Sequence, residues 1–355
     1  MSIESDLKKD GIEVIRELDT LTINQLAKRI AESLCEAFPA LNLDYTDLFA
    51  QLSRVNMYYA KMPKGLSEAN YFYKNRSIYF NENLELENML EYAVHESIHY
   101  LQERKDKKNY LLRLGLCDFA EFRIYGMALN EAAVQYMAEK AINHEKDQIK
   151  YYGITFPTIS SSCYSIECNL LEQLIYLTGE DSLIDSTFYS NDEFKYDLVD
   201  LCGEKEFFTI QKNLDIILYA EEDLIKLNCQ LQNTEENSKS MIKIVQKIDM
   251  TREKIANTYF ETQNLIISSY FDHAFKAIQD LEGLESYRRK LYQYKDYIGT
   301  NDTYSFYHNY YIMQMTKLEE KQNSIENAVH SLVPVTNNKL LAFFRAIKRL
   351  FVPGT

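Results

Sequence analysis

The chain has 355 residues, 46% of them apolar, which is enough for a sizeable core and excludes global disorder. Its formal net charge of −14 argues against nucleic acid as a general partner and favours basic substrates. The first residues form an acidic-basic amphipathic run unlike a secretory signal, and no apolar stretch approaches the length of a membrane span. Six scattered cysteines without zinc-ribbon spacing read as reduced thiols, and the chain is expected to be cytoplasmic.

Residues 5–18 alternate apolar and charged at helical period. A second helix follows, with Thr22 as N-cap, a stripe of Leu26, Ile30, Leu34 and Phe38, and Pro39 at its end. A short helix is expected over 45–52. The pattern then turns extended: 54–60, 69–73 and 77–80 read as strands, separated by Pro63-Lys64-Gly65 and Lys74-Asn75-Arg76. Asn81-Glu82-Asn83 caps a helix predicted over 84–103, whose stripe of Leu86, Leu90, Val94, Ile98 and Leu101 would pack on the sheet. Further helices are predicted over 119–125, 130–142 and 164–177, the last closed by Gly179, with 154–162 as a loop. From 193 to 330 the chain reads as helical nearly throughout. Apolar spacings there suggest a bundle with coiled-coil-like hairpins, and no heptad is sustained. The fold class expected is α+β, mostly helical, in segments 1–150, 151–336 and 337–355. The last segment is a basic amphipathic tail carrying Lys339, Arg345, Lys348 and Arg349. Such a helix can lie on an anionic membrane, dock into a partner groove, or close the core of its own chain.

The chemistry concentrates in Val94-His95-Glu96-Ser97-Ile98-His99, an H-E-x-x-H pattern inside the helix predicted over 84–103. Residues four apart share a helix face with Cβ atoms roughly 5–6 Å apart, so His95 and His99 can reach one cation. Zinc accepts imidazole nitrogen and keeps a position open for water in catalytic sites, and Glu96 is placed to take a proton from that water.

Two histidines need a third ligand. A short-spaced third histidine is excluded, because Gln102 and Lys105 stand where that motif needs Gly and His. His144 sits at a polar helix end. Glu131 is a better candidate: Met127, Ala128 and Val134 surround it, and an unpaired carboxylate there is costly, so a cation is its natural partner. Ala128, Ala132 and Ala133 would let this helix approach the histidine helix closely. Glu121 and Glu139 are alternatives in more polar surroundings.

His95-Glu96-x-x-His99 followed by Asn130-Glu131-Ala132-Ala133 on a later helix resembles the gluzincin metallopeptidases, the thermolysin and aminopeptidase N type. The resemblance covers about 54–142. It implies a small zincin-like mixed sheet, zinc held by His95, His99 and Glu131, Glu96 as general base, and strand 77–80 as an edge strand antiparallel to bound peptide. The sequence departs from the family in three places. The gap from His99 to Glu131 is longer than in thermolysin, Gln135 replaces an acid, and the aminopeptidase G-x-M-E-N motif is absent.

The function expected is a zinc-dependent endopeptidase that hydrolyses peptide bonds through a zinc-bound water activated by Glu96, with a peptide or protein as substrate. Tyr136, Tyr164 and Tyr189 are candidates for the donor to the oxyanion. Two other readings compete. One is an inactive zincin-fold binding or regulatory protein; the other is an effector or toxin-like protease delivered by its helical half and basic tail.

Overall fold

The structure, a computed structural model, describes residues 3–9, 11–63, 68–108, 110–120, 123–235, 238–298 and 306–332. The chain opens with α1 (Ile3–Lys9), β1 (Glu13–Glu17), α2 (Thr20–Ala37), α3 (Tyr45–Leu52), β2 (Asn56–Lys61), β3 (Ala69–Phe72) and β4 (Ser77–Asn81). Next come α4 (Met89–Gln102), β5 (Glu103–Lys105), β6 (Leu111–Leu114), β7 (Asp118–Ala120), β8 (Arg123–Tyr125) and α5 (Met127–Ala141). A hairpin of β9 (Asp147–Tyr151) and β10 (Ile154–Thr158) precedes α6 (Ser165–Thr178), α7 (Asp181–Tyr189), α8 (Glu193–Cys202) and α9 (Glu204–Gln232). The long helices α10 (Lys239–Ala277), α11 (Leu281–Ile298) and α12 (Phe306–Leu332) follow. The result is a mostly helical α+β protein with a small mixed sheet, as the patterning predicts.

The sheet has the order β1-β2-β4-β3, with β2 and β4 parallel and both outer pairs antiparallel. Strand β4 is therefore interior, and the edge beside the histidine helix is β3. This corrects the expectation that 77–80 forms the edge. A β-strand with an all-buried pattern, as in Ser77–Phe80, needs neighbours on both sides to pair its backbone.

Five other local expectations are corrected. Residues 13–17 form a strand on the far edge and not the second half of a helix. Asp19, not Thr22, caps α2, its carboxylate accepting from the Thr22 N–H at 2.9 Å. The histidine helix begins at Met89, because the stretch before it closes in successive turns, and Leu86 is left exposed. The segments 118–120 and 123–125, expected as one helix, pair as the hairpin β7–β8, and 154–158 is a strand and not a loop.

Helix α4 is the pivot. One side packs on β3 and β4, and the others meet α2, α5 and α7. Its Ala93, Val94 and Ile98 join Leu26, Ile30 and Leu34 of α2 and Val134, Met137 and Ala138 of α5 in one core. Small residues at the contact let helix axes approach, and α5 buries Ala128, Ala132, Ala133, Ala138 and Ala141. The start of α5 is fixed in trans: Asp215 of α9 accepts from the Gly126 N–H at 3.0 Å and the Ala128 N–H at 2.9 Å. Gly126 has φ of 74°, and a Cβ there would lie 2.3 Å from the Gln211 amide, so only glycine fits.

The first compact unit, Met1–Tyr270, continues across position 150, since α5 packs on α6 and α9 as well as on α4. The second unit, Phe271–Thr355, pairs α11 with α12 around Phe271, Tyr287, Tyr294, Tyr307 and Tyr310. The basic tail, 337–355, lies outside the described residues. Among the described residues no helix is long and apolar enough to cross a membrane.

Because Asp215 satisfies two N–H groups that α5 cannot pair internally, Asp215→Ala is expected to cost about 1 kcal/mol, the typical loss of a helix cap. Urea denaturation checks this; an unchanged midpoint and slope would show that α5 starts without that cap.

Candidate metal centre

His95 and His99 lie one turn apart on α4, and Glu131 projects from the second turn of α5. The structure brings the three together as a group able to hold a metal ion. The two Nε2 atoms are 3.1 Å apart, and Glu131 Oε2 lies 3.5 Å from His95 Nε2 and 3.4 Å from His99 Nε2. A tetrahedron of donors about 2.0–2.1 Å from zinc has edges of about 3.3 Å, so these spacings fit the ion. The donor set, two imidazoles and one carboxylate, also suits zinc with one position left for water or substrate.

Both outer ring nitrogens are occupied. His95 Nδ1 lies 2.7 Å from Gln135 Oε1, which makes Nδ1 the donor and leaves the Nε2 lone pair facing the centre. His99 Nδ1 is 2.8 Å from the Gln102 side-chain amide. As placed, it is the amide nitrogen, Nε2, that faces His99 Nδ1; turning the amide over would bring its oxygen to Nδ1, put the hydrogen there and free His99 Nε2 to ligate. The turn at Gly115 holds this corner. A Cβ on Gly115 (φ 52°) would lie 2.0 Å from Asn130 Oδ1 and 2.1 Å from Gln102 Oε1. Asn130 Oδ1 accepts from the Leu116 N–H at 3.0 Å, so the residue preceding Glu131 ties α5 to that turn.

Glu96 is buried beside the pair, and its Oε2 accepts from the Tyr71 backbone N–H at 2.7 Å. Tyr71 lies on the edge strand, and that N–H points away from β4. One carboxylate oxygen is thus held by the sheet, and the other is left for chemistry. Tyr164, in left-handed conformation with φ of 50°, stacks on the His95 ring with centroids 5.9 Å apart and planes 15° apart.

The electrostatics follow from burial and these neighbours. Burial pushes the Glu131 carboxyl up, but His99 and His95 outweigh it and hold the group well below the usual carboxylate range. Burial pushes the His95 imidazole down, yet its hydrogen bond with Glu131 and the charges of Glu96 and Glu131 turn the net direction upward. Burial dominates at Glu96, which stays raised despite the opposing pull of His95, His99 and the Tyr71 N–H. Burial, with the Glu131 and Glu96 charges, drives the Tyr164 hydroxyl well up, so it remains a donor.

The remaining candidates lie elsewhere. His144 stands outside the cluster and pairs with Glu139 at 2.7 Å. Glu121 falls outside the described residues. The Tyr136 hydroxyl donates to Glu180 at 2.9 Å, and that of Tyr189 to the Leu41 carbonyl at 3.0 Å, which leaves Tyr164 alone of the three at the centre. In the sequence Gln102 and Gln135 stand out as departures from motifs, Gln102 one turn from His99 and Gln135 one turn from Glu131. The spacing signals the contact of Gln102 with His99, whereas that of Gln135 with His95 arises only where the two helices meet. The Tyr71 amide depends on strand pairing and carries no local signal.

No family model matches the chain, and neither the curated proteins nor the solved structures give a match.

Protein supplied with zinc and then dialysed is expected to retain about one zinc per chain, with none in His99→Ala and weakened retention in Glu131→Gln. Metal analysis by mass spectrometry checks this; a zinc-free wild type, or a His99→Ala variant that keeps its zinc, would contradict the assignment.

Proposed function

We propose that the chain is a zinc-dependent endopeptidase of gluzincin type. The observation that carries this reading is the triad of donors at tetrahedral spacing with a second, buried glutamate beside it and an open edge strand alongside. His95, His99 and Glu131 would hold the zinc ion, which would supply a Lewis acid and make water a stronger acid. Glu96 takes the water proton on the oxygen that Tyr71 leaves free and delivers it to the leaving amine. Tyr164 serves as the donor to the carbonyl oxygen that gains charge, since its hydroxyl stays protonated and lies against the ligand set. Strand β3 presents its outer edge for an extended peptide, the mode by which main chain adds to a sheet. Two of the departures from the family are accommodated: the hairpins β5–β6 and β7–β8 fill the long interval between the histidine and glutamate helices, and Gln135, where the family has an acid, hydrogen-bonds His95. Asn130 anchors the ligand helix. A buried, hydrogen-bonded Glu96 has no structural need of the metal, which favours an active enzyme over an inactive binding protein. Among the described residues no disulfide joins the six cysteines, which fits action in a reducing compartment such as the cytoplasm.

A quenched-fluorescence peptide library incubated with zinc-loaded protein tests the reading. Cleavage is expected with wild type and is abolished in Glu96→Gln while zinc stays bound. Tyr164→Phe should lower kcat by about 10²–10³-fold, the usual cost of one oxyanion donor. Full activity in Glu96→Gln would sink the mechanism, and no cleavage of any peptide by the zinc-loaded wild type would sink the function.

A further inference from the structure

Glu131, Gln135 and Glu139 are spaced four apart on α5 and form a column along one helix face. Only the first reaches the donor cluster. The second contacts His95 Nδ1 through Oε1 at 2.7 Å and donates from Nε2 to Glu139 Oε1 at 2.8 Å. Glu139 is wholly buried, and its other oxygen pairs with His144 Nδ1 at 2.7 Å. His144 arrives there because α5 ends in a left-handed turn. Asn143 has φ of 58°, its N–H donates to the Lys140 carbonyl at 3.1 Å, and the His144 N–H donates to the Glu139 carbonyl at 2.9 Å. That is the Schellman arrangement, and it folds the residue after the helix back over its last turn.

A hydrogen-bonded line therefore runs from a partly exposed histidine to the metal ligand. Its polarity is set from the outer end. A carboxylate only accepts, so Glu139 Oε1 compels Gln135 to present its NH2 outward and its oxygen to His95. An oxygen facing Nδ1 compels the hydrogen to sit on Nδ1, which exposes the Nε2 lone pair to the cation. Without that lock the Gln135 amide can turn over and donate to Nδ1. The hydrogen of His95 then moves to Nε2, where it blocks ligation. Burial, helped by the Glu91 charge, raises the Glu139 carboxyl above its usual value, while the hydrogen bonds with His144 and Gln135 pull the other way, toward the acceptor form.

We propose that Glu139 and His144 are positioning residues of the metal centre, which lock the His95 tautomer through the Gln135 amide without touching the ion. The proposal rests on the zinc reading of the site and adds to it a role for two residues at the far end of α5. A charge exchange tests it. Glu139→Gln keeps the shape of the column and removes the obligatory acceptor. Zinc affinity, measured by competition with a chromogenic chelator, is expected to fall about 10-fold or more, the range found when partners of ligating histidines are lost. The double variant Gln135→Glu/Glu139→Gln moves the carboxylate into direct contact with His95 and lets the new amide donate to it. It should recover wild-type affinity, although the ion pair with His144 is gone. Imidazole nitrogen shifts of His95, read by NMR in metal-free protein well above the imidazole titration range, should report hydrogen on Nδ1 in wild type and the double variant. Glu139→Gln should lose that preference. Unchanged affinity and tautomer in Glu139→Gln would overturn the proposal. So would a double variant that folds, by its melting temperature, but stays weak, because Glu139 would then serve only its pair with His144. A wild type that binds no zinc would refute the metallopeptidase reading, and the nitrogen shifts would still decide whether the lock exists.

Discussion

The close approach of α4 and α5 is the constraint on which the rest depends. Two imidazoles and a carboxylate from these helices converge to within 3.1–3.5 Å of one another in a buried place. Taking a carboxylate out of water is costly unless a cation or hydrogen-bond donors compensate, and here the two histidines do so. The approach needs small side chains at the contact, which α5 supplies as a run of buried alanines. It also needs rigid backing for both helices. The sheet holds α4 from one side, and Asp215 fixes where α5 begins.

Around that contact the polar groups are arranged so that few choices remain open. Gln135 and Gln102 occupy the outer nitrogens of the two histidines, Asn130 binds the Gly115 turn, and the edge strand holds one oxygen of Glu96. Such outer contacts orient ligands and fix their tautomers as much as the ligands themselves define the site. A carboxylate in direct contact with the histidine is the simplest way to set a tautomer. This chain places an amide there and the carboxylate one turn further out, which keeps a further negative charge, beyond that of Glu96, away from Glu131.

The parts of this arrangement that rest on helical period were legible in the residues. His95, Glu96 and His99 declare themselves by spacing, and Glu131 by an acid among small and apolar neighbours. The mostly helical α+β class followed from the change of pattern between 54 and 80 and the long helical run after 193. What the sequence hid depends on pairing between distant segments. Strand order put β3 and not β4 at the edge, because both read alike and only the parallel pairing of β2 with β4 separates them. Residues 13–17 read as helix because an exposed edge strand carries no buried face to give it a period of two. The His144 contact was hidden as well: its polar neighbours suggest a solvated helix end, and only the turn at Asn143 carries it back to Glu139.

The six cysteines of the chain make thiolate the natural competitor for zinc, so the identity of the donor atoms decides the account. Zinc K-edge X-ray absorption on protein reconstituted with the metal reads those atoms directly. Scattering from two imidazoles and light oxygen donors at about 2.0–2.1 Å is the predicted result. A sulfur shell at about 2.3 Å, or no bound zinc to measure, would contradict a centre built from His95, His99 and Glu131.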